Sequence, residues 1–129
     1  MAGDILLDTN IVIAAWANDA IVLEKLRTYE NVVVSVTVLG ELYYGARGSA
    51  NADKNISRIE QHVKSWTVLD CDLDIARNYG EIKQELRRKA TPIPDNDIWI
   101  AAVARQHALP LATRDAHFKA VDGLSLQIW

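Results

Sequence analysis

The sequence is poor in most of the residues that announce a special chemistry. It has one cysteine, Cys71, which excludes an intramolecular disulfide and a multi-cysteine zinc site. Three prolines and six glycines form no linker, repeat or low-complexity tract. The apolar runs fall far short of the ~20 residues that cross a bilayer, so no membrane segment is expected. The charges nearly balance, at −3 overall, and supply no bulk basic field. No signal-peptide pattern opens the chain, so the cytoplasm is the expected compartment. His62, His107 and His117 match no metal-binding spacing and are expected at the surface or at helix ends. Neither a Gly-x-Ser-x-Gly elbow nor a glycine-rich phosphate loop is present.

What remains is ample core material. Half of the 129 residues are hydrophobic, and residues 1–129 are read as one domain. Short apolar runs alternate with amphipathic segments. Ile5–Leu7, Val32–Val34, Thr67–Leu69, Leu111–Ala112 and Leu126–Ile128 read as strands. Helices are predicted from Asn10 to about Tyr29, broken near Asn18-Asp19, and from Thr37 to Arg47, where Gly48 stops the helix. Further helices are predicted over Ala52–Trp66, Asp72–Ala90 and Asp95–His107. In the fourth of these five, Ile75, Tyr79, Ile82 and Leu86 make one buried stripe. Strands alternating with helices imply a parallel sheet covered on both faces.

Four acids stand out by context. Asp8 ends the apolar run Ile5-Leu6-Leu7. Glu41 lies among Leu39, Leu42 and Tyr43. Asp97 opens a helix whose Ile100, Ala101 and Ala104 share its face. Asp115 closes Thr113-Arg114-Asp115. Gathering carboxylates beside a core is costly unless a cation offsets their repulsion. Hard divalent ions prefer oxygen ligands, so a magnesium or manganese site is the economical explanation. In a parallel sheet, ligands bind beyond the carboxyl ends of the strands, and the element order permits all four acids to converge there.

Each acid also has a plainer reading. Asp8 is a good helix N-cap, Asp97 suits the positive end of a helix dipole, and Asp115 suits an ordinary turn. Gly40 costs its helix about 1 kcal/mol relative to alanine, which a close backbone approach beside Glu41 would explain. Asp95 reads as the N-cap of the Asp97 helix. Arg87-Arg88-Lys89 reads first as dipole compensation at a helix end and second as an RNA contact. Trp16, Tyr43 and Tyr44 read first as core and second as a partner groove.

Taken together, these segments resemble the PIN-domain family, and most closely the VapC-type toxins of bacterial toxin–antitoxin pairs. The resemblance rests on Leu7-Asp8-Thr9-Asn10, on Gly40-Glu41-Leu42 followed by Gly45, on Asp97-x-x-Ile100-Ala101-Ala102, and on Thr113-x-Asp115 followed by Phe118. It spans the chain, and Trp99 is a departure in detail. It implies a single-domain α/β/α sandwich with a short parallel sheet, usually homodimeric. It further implies a Mg²⁺-dependent endoribonuclease (Mn²⁺ being the alternative ion) that cleaves RNA by metal-activated water. Asp8, Glu41, Asp97 and Asp115 would be its catalytic and metal-binding acids, with Thr9 and Thr113 in support and a small antitoxin protein as partner. Two rivals stand beside this reading. One is a phosphate-accepting, Mg²⁺-binding signalling domain, for which Asp8 lacks an acidic neighbour and Lys119 is poorly placed. The other is a non-catalytic scaffold of the same fold.

Overall fold

The computed structural model describes residues 2–129. Its elements run β1 (Ala2–Leu7), α1 (Thr9–Trp16), α2 (Ala20–Leu26), β2 (Tyr29–Ser35), α3 (Val36–Arg47), α4 (Ala52–Val63), β3 (Thr67–Leu69), α5 (Leu73–Arg88), α6 (Asp95–His107), β4 (Leu111–Thr113), a 3-10 turn over Ala116–Ala120, and β5 (Leu126–Ile128). The five strands pair in the order β3-β2-β1-β4-β5, every pair parallel. All strands therefore end at one edge of the sheet.

The central strand explains the core. Ile5 and Leu6 are fully buried and Leu7 nearly so, as expected for a parallel strand covered on both faces. Leu6 stands opposite Val33 on one side and Leu111 on the other. The helix-forming segments start where a side chain satisfies their free N–H groups. Asp8 accepts from the N–H of Thr9, Asp19 from those of Ile21 and Val22, Ser35 from that of Val38, and Asp72 from that of Ile75. The break expected near Asn18-Asp19 is there: Asn18 is left-handed at φ 60°, and Asp19 restarts the chain as α2.

Several boundaries differ from the sequence expectation. β2 begins at Tyr29 rather than Val32 because its polar start pairs with β1, Ala2 opposite Tyr29 and Asp4 opposite Asn31. There the Asn31 amide donates to Asp4 at 2.9 Å, a cross-strand bond that hydrophobicity does not reveal. Gly48 does end α3, but at φ −84°, so its left-handed freedom is not what stops the helix. Gly40 corrects a second expectation. It is exposed, and a Cβ built on it meets nothing within 4 Å. No backbone approaches it.

α6 is the most buried helix. Ile98 and every residue from Ile100 to Ala104 are buried, because the helix packs against both α5 and α3. Small alanines at 101, 102 and 104 permit that close approach. α6 is thus locked in place, and its first turn lies at the edge where the strands end.

Candidate active site

Two strand ends and two helices deliver the four acids to one cavity of about 530 Å³, whose lining also includes Thr9, Asn10, Ile13, Asp95 and Asn96. Asp8 arrives directly from β1, and its N–H bonds to the carbonyl of Ala112 in β4 at 2.9 Å. Asp115 follows β4 by two residues. Glu41 comes from the middle of α3, and Asp97 from the first turn of α6.

Asp8 is the fixed point of the cavity. It is 3% exposed, and both of its oxygens are engaged. Oδ1 accepts from the Thr9 N–H at 2.8 Å, and Oδ2 accepts from the Thr113 hydroxyl at 2.6 Å. The Thr113 oxygen in turn accepts from the Asp115 N–H at 3.0 Å. One fully buried hydroxyl therefore joins two of the acids. Thr9 serves the other side, its hydroxyl donating to Glu41 Oε1 at 3.1 Å.

Electrostatics shows how crowded the cluster is. Burial is the largest cause holding Asp8 above the usual carboxylate range, with the hydrogen bonds from Thr113 and Thr9 opposing it and Asp115 adding to it. Burial likewise pushes Glu41 up, with the Thr9 bond opposing and with Asp8 and Asp97 adding repulsion. Asp97 is raised first by burial and next by Asp8, against the pull of His117. Three neighbouring carboxyls displaced in the same direction are a set that a divalent cation would relieve. All-oxygen donors of this kind suit hard ions.

Two residues escaped the sequence reading. His117 was expected at the surface or a helix end, but its Nε2 lies 2.7 Å from Asp97 Oδ2. No spacing motif signals it, since the contact depends on α6 docking beside the 3-10 turn. Asn10 was visible in Asp8-Thr9-Asn10 but unassigned. Its amide donates to Asp115 Oδ2 at 3.3 Å, and its carbonyl oxygen accepts from the Arg114 N–H at 3.3 Å.

Asp95 requires a correction. The α6 N-cap position belongs to Pro94 and has no side-chain cap. The Pro94 carbonyl instead takes the N–H groups of Asp97 and Ile98. Asp95 lines the rim of the cavity, but its Oδ1 is taken by Lys83 at 3.0 Å and the Tyr79 hydroxyl at 3.3 Å. Lys83 accordingly holds it below the usual carboxylate range.

The remaining candidates fall outside the cavity. Lys119 is exposed and is not among its lining residues. Lys89 bonds to Asp122 and to the carbonyl of Ala120. Trp16 stacks on Trp66 with ring centres 6.2 Å apart, Tyr43 packs partly against the core, and Tyr44 is 85% exposed.

This fold, with acids collected at the carboxyl edge of a parallel sheet, matches a known class. The PIN-domain model matches residues 5–124, and the chain belongs to that family. Within it the relatives are VapC proteins. Ribonuclease VapC2 of Haemophilus influenzae is 36% identical, with 96% of each chain covered. The tRNA(fMet)-specific endonuclease VapC of Shigella flexneri is 35% identical, again over 96% of each. Among solved structures, VapBC-1 from nontypeable Haemophilus influenzae superposes with a TM-score of 0.90 at 30% identity, covering 98% of both chains.

Proposed function

We propose that this chain is a metal-dependent endoribonuclease, the toxin of a toxin–antitoxin pair, with Asp8, Glu41, Asp97 and Asp115 as its catalytic acids. The observation that carries this reading is the single cavity lined by all four, three of them displaced upward by burial and mutual repulsion. Its substrate class follows from the ribonuclease relatives.

The donor set fits a hard divalent ion, for which Mg²⁺ is the proposal and Mn²⁺ the alternative. Bound there, such an ion supplies an activated water at neutral pH and a counter-charge to the phosphate. The protein's own part is preorganisation. Thr113 and the Thr9 N–H hold Asp8 in one rotamer, the Thr9 hydroxyl steers Glu41, and the Asn10 amide steers Asp115. With these side chains prefixed, little reorganisation is left for the moment of reaction.

A small antitoxin is the proposed partner, in keeping with the VapBC relative. An apolar groove lined by Ile13, Trp16, Leu42 and Ile59 adjoins the acid cavity and shares Glu41 and Ile13 with it. An occupant of that groove would obstruct substrate. The chain is also proposed to act as a cytoplasmic homodimer. Exposed Val36 and Tyr44, which line one concavity with Cys71 and Trp99, offer an apolar face. A monomeric mass by light scattering at micromolar concentration would remove the dimer from the reading.

The test of function is cleavage of a structured RNA panel with Mg²⁺ or Mn²⁺, beside an Asp8→Asn control. Expression of the parent should arrest bacterial growth, and the variant should not. Equal toxicity at matched protein levels, or RNA cleavage that persists in the variant or in chelator, would defeat the proposal.

A further inference from the structure

The acids of the cavity are not equivalent donors. Asp8 is almost without surface, and each of its oxygens already accepts a short hydrogen bond. Glu41 has one oxygen held by Thr9. On the opposite side, Asp97, Asp115 and His117 each offer one ligand atom, and these three atoms lie within 4.8 Å of one another. Among the described residues, neither Asp8 nor Glu41 joins that tighter set. The four acids share a cavity; His117 is not among its lining residues, and its Nε2 reaches the acids beside Asp97 and Asp115.

Resting on the nuclease reading above, we propose that His117 is a direct nitrogen ligand of the metal centre, and that Asp97, Asp115 and His117 form a mixed nitrogen–oxygen subsite that favours Mn²⁺ over Mg²⁺.

The geometry is permissive. Ligands about 2.1 Å from a small divalent ion stand about 3 Å apart when adjacent and about 4.2 Å apart when opposite. The three ligand atoms lie within 4.8 Å of one another, close to that range. His117 Nε2 and Asp97 Oδ2, 2.7 Å apart, are already at the separation of neighbouring ligands. A metal ligand bonds through an unprotonated ring nitrogen, so Nε2 binds an ion in the tautomer whose one proton is on Nδ1. The ring has limited freedom to turn away. It lies against Phe118, with ring centres 5.0 Å apart, and Phe118 is fully buried. The turn that carries His117 is closed by the Val121 N–H bonding to the Phe118 carbonyl at 3.0 Å.

The chemistry adds selectivity. Mg²⁺ takes oxygen ligands almost exclusively and keeps several waters, whereas Mn²⁺ shares its preference for carboxylates but, as the first member of the transition-metal affinity order, tolerates a nitrogen donor better. One imidazole among carboxylates therefore costs Mg²⁺ more than Mn²⁺. The other two histidines lie elsewhere. His62 packs on Trp16 and Trp66, and His107 closes the far end of α6. An imidazole signal from a metal in this cavity is thus assignable to His117.

The experiment is pulsed electron paramagnetic resonance on the full-length protein loaded with Mn²⁺, with calorimetric titration of Mn²⁺ and Mg²⁺ alongside. The parent protein should show ¹⁴N coupling of directly bonded imidazole. His117→Gln should lose it, and its Mn²⁺ affinity should fall by about 10–100-fold, the range seen even for groups that only touch ligands, with a much smaller loss for Mg²⁺. A Mn²⁺ spectrum of the parent without nitrogen coupling overturns the proposal and needs no variant. So does an equal loss of both affinities in His117→Gln, which would make His117 a positioning residue for Asp97. Either result, with Mn²⁺ still bound and RNA still cleaved, leaves the nuclease reading intact. A parent that binds neither ion sinks both.

Discussion

Thr113→Val isolates the hydroxyl on which the acid cluster is hung. The exchange keeps the shape of a side chain that has no exposed surface, so packing is conserved and two hydrogen bonds are lost. The bond donated to Asp8 at 2.6 Å is to a charged group and is worth about 1.5–3 kcal/mol. Loss of the acceptor for the Asp115 N–H, now at 3.0 Å, adds about 1 kcal/mol. The metal-free protein should therefore lose about 2.5–4 kcal/mol at pH 7. For a domain of this size that is a fall of roughly 10 °C or more in melting temperature. The loss must also depend on pH. The Thr113 bond favours ionised Asp8, while burial opposes ionisation, so the penalty belongs to the charged form and shrinks as acid protonates it. Urea unfolding followed by circular dichroism at pH 7 and near pH 4 measures both quantities. Thr113→Ser, which keeps the hydroxyl, should lose about 1 kcal/mol for its missing methyl. A Val penalty below 1 kcal/mol, one that is unchanged at pH 4, or a Ser variant as damaged as Val would refute the reasoning.

The metal-free protein carries three carboxyls, Asp8, Glu41 and Asp97, whose folded pKa lies above the unfolded value. Their contribution to stability is fully present below the unfolded carboxylate pKa and is lost as pH rises through the raised folded values. Half-buried Asp19 and exposed Asp95 have the opposite sign. The stability gained on adding a fixed concentration of Mg²⁺ or Mn²⁺, read from the rise in melting temperature, should then be larger at pH 7.5 than at pH 5, and it is about 2.7 kcal/mol when the ion stands at 100 times Kd; a gain that is flat or larger at pH 5 contradicts this. Asp97→Asn should abolish metal-dependent cleavage and Asp95→Ala should leave both melting and cleavage near the parent's, since Asp95 is paired outward with Lys83. Loss of cleavage in Asp95→Ala would place it in the site. Gly40→Ala should stabilise the protein by about 1 kcal/mol, because its Cβ enters open space. A destabilised Gly40→Ala, measured by thermal melting, would mean that something occupies that space in solution.

Legibility in the sequence followed the range of the interaction involved. The stripe of α5 and the break before α2 were readable because local periodicity and capping dictate them. The convergence of the acids on one cavity was readable for Asp8, Glu41 and Asp97 from the apolar residues beside them, and for Asp115 from its place after a strand. Asp95 was misread because aspartate is a favoured cap, and sequence does not say that Pro94 takes the cap position with its carbonyl holding the N–H groups of Asp97 and Ile98. His117 was invisible, since its partner Asp97 lies 20 residues away on an element whose placement depends on α5 and α3. The polar start of β2 was missed for the same reason, its support coming from a neighbouring strand rather than from its own residues.

The bonds from Thr113 to Asp8 and from Asn10 to Asp115 each link residues 105 positions apart. Such contacts form late, after a long loop has closed. During synthesis, Asp8 and Glu41 emerge in the first third of the chain, but the hydroxyl and amide bonds that complete the cluster await residues 113–115. An incomplete chain on the ribosome thus holds at most three of the four acids, with neither Thr113 nor Asp115 to finish the cluster. For a protein proposed to degrade its own cell's RNA, the placement of β4 beside β1 delays the hazard until synthesis is nearly over.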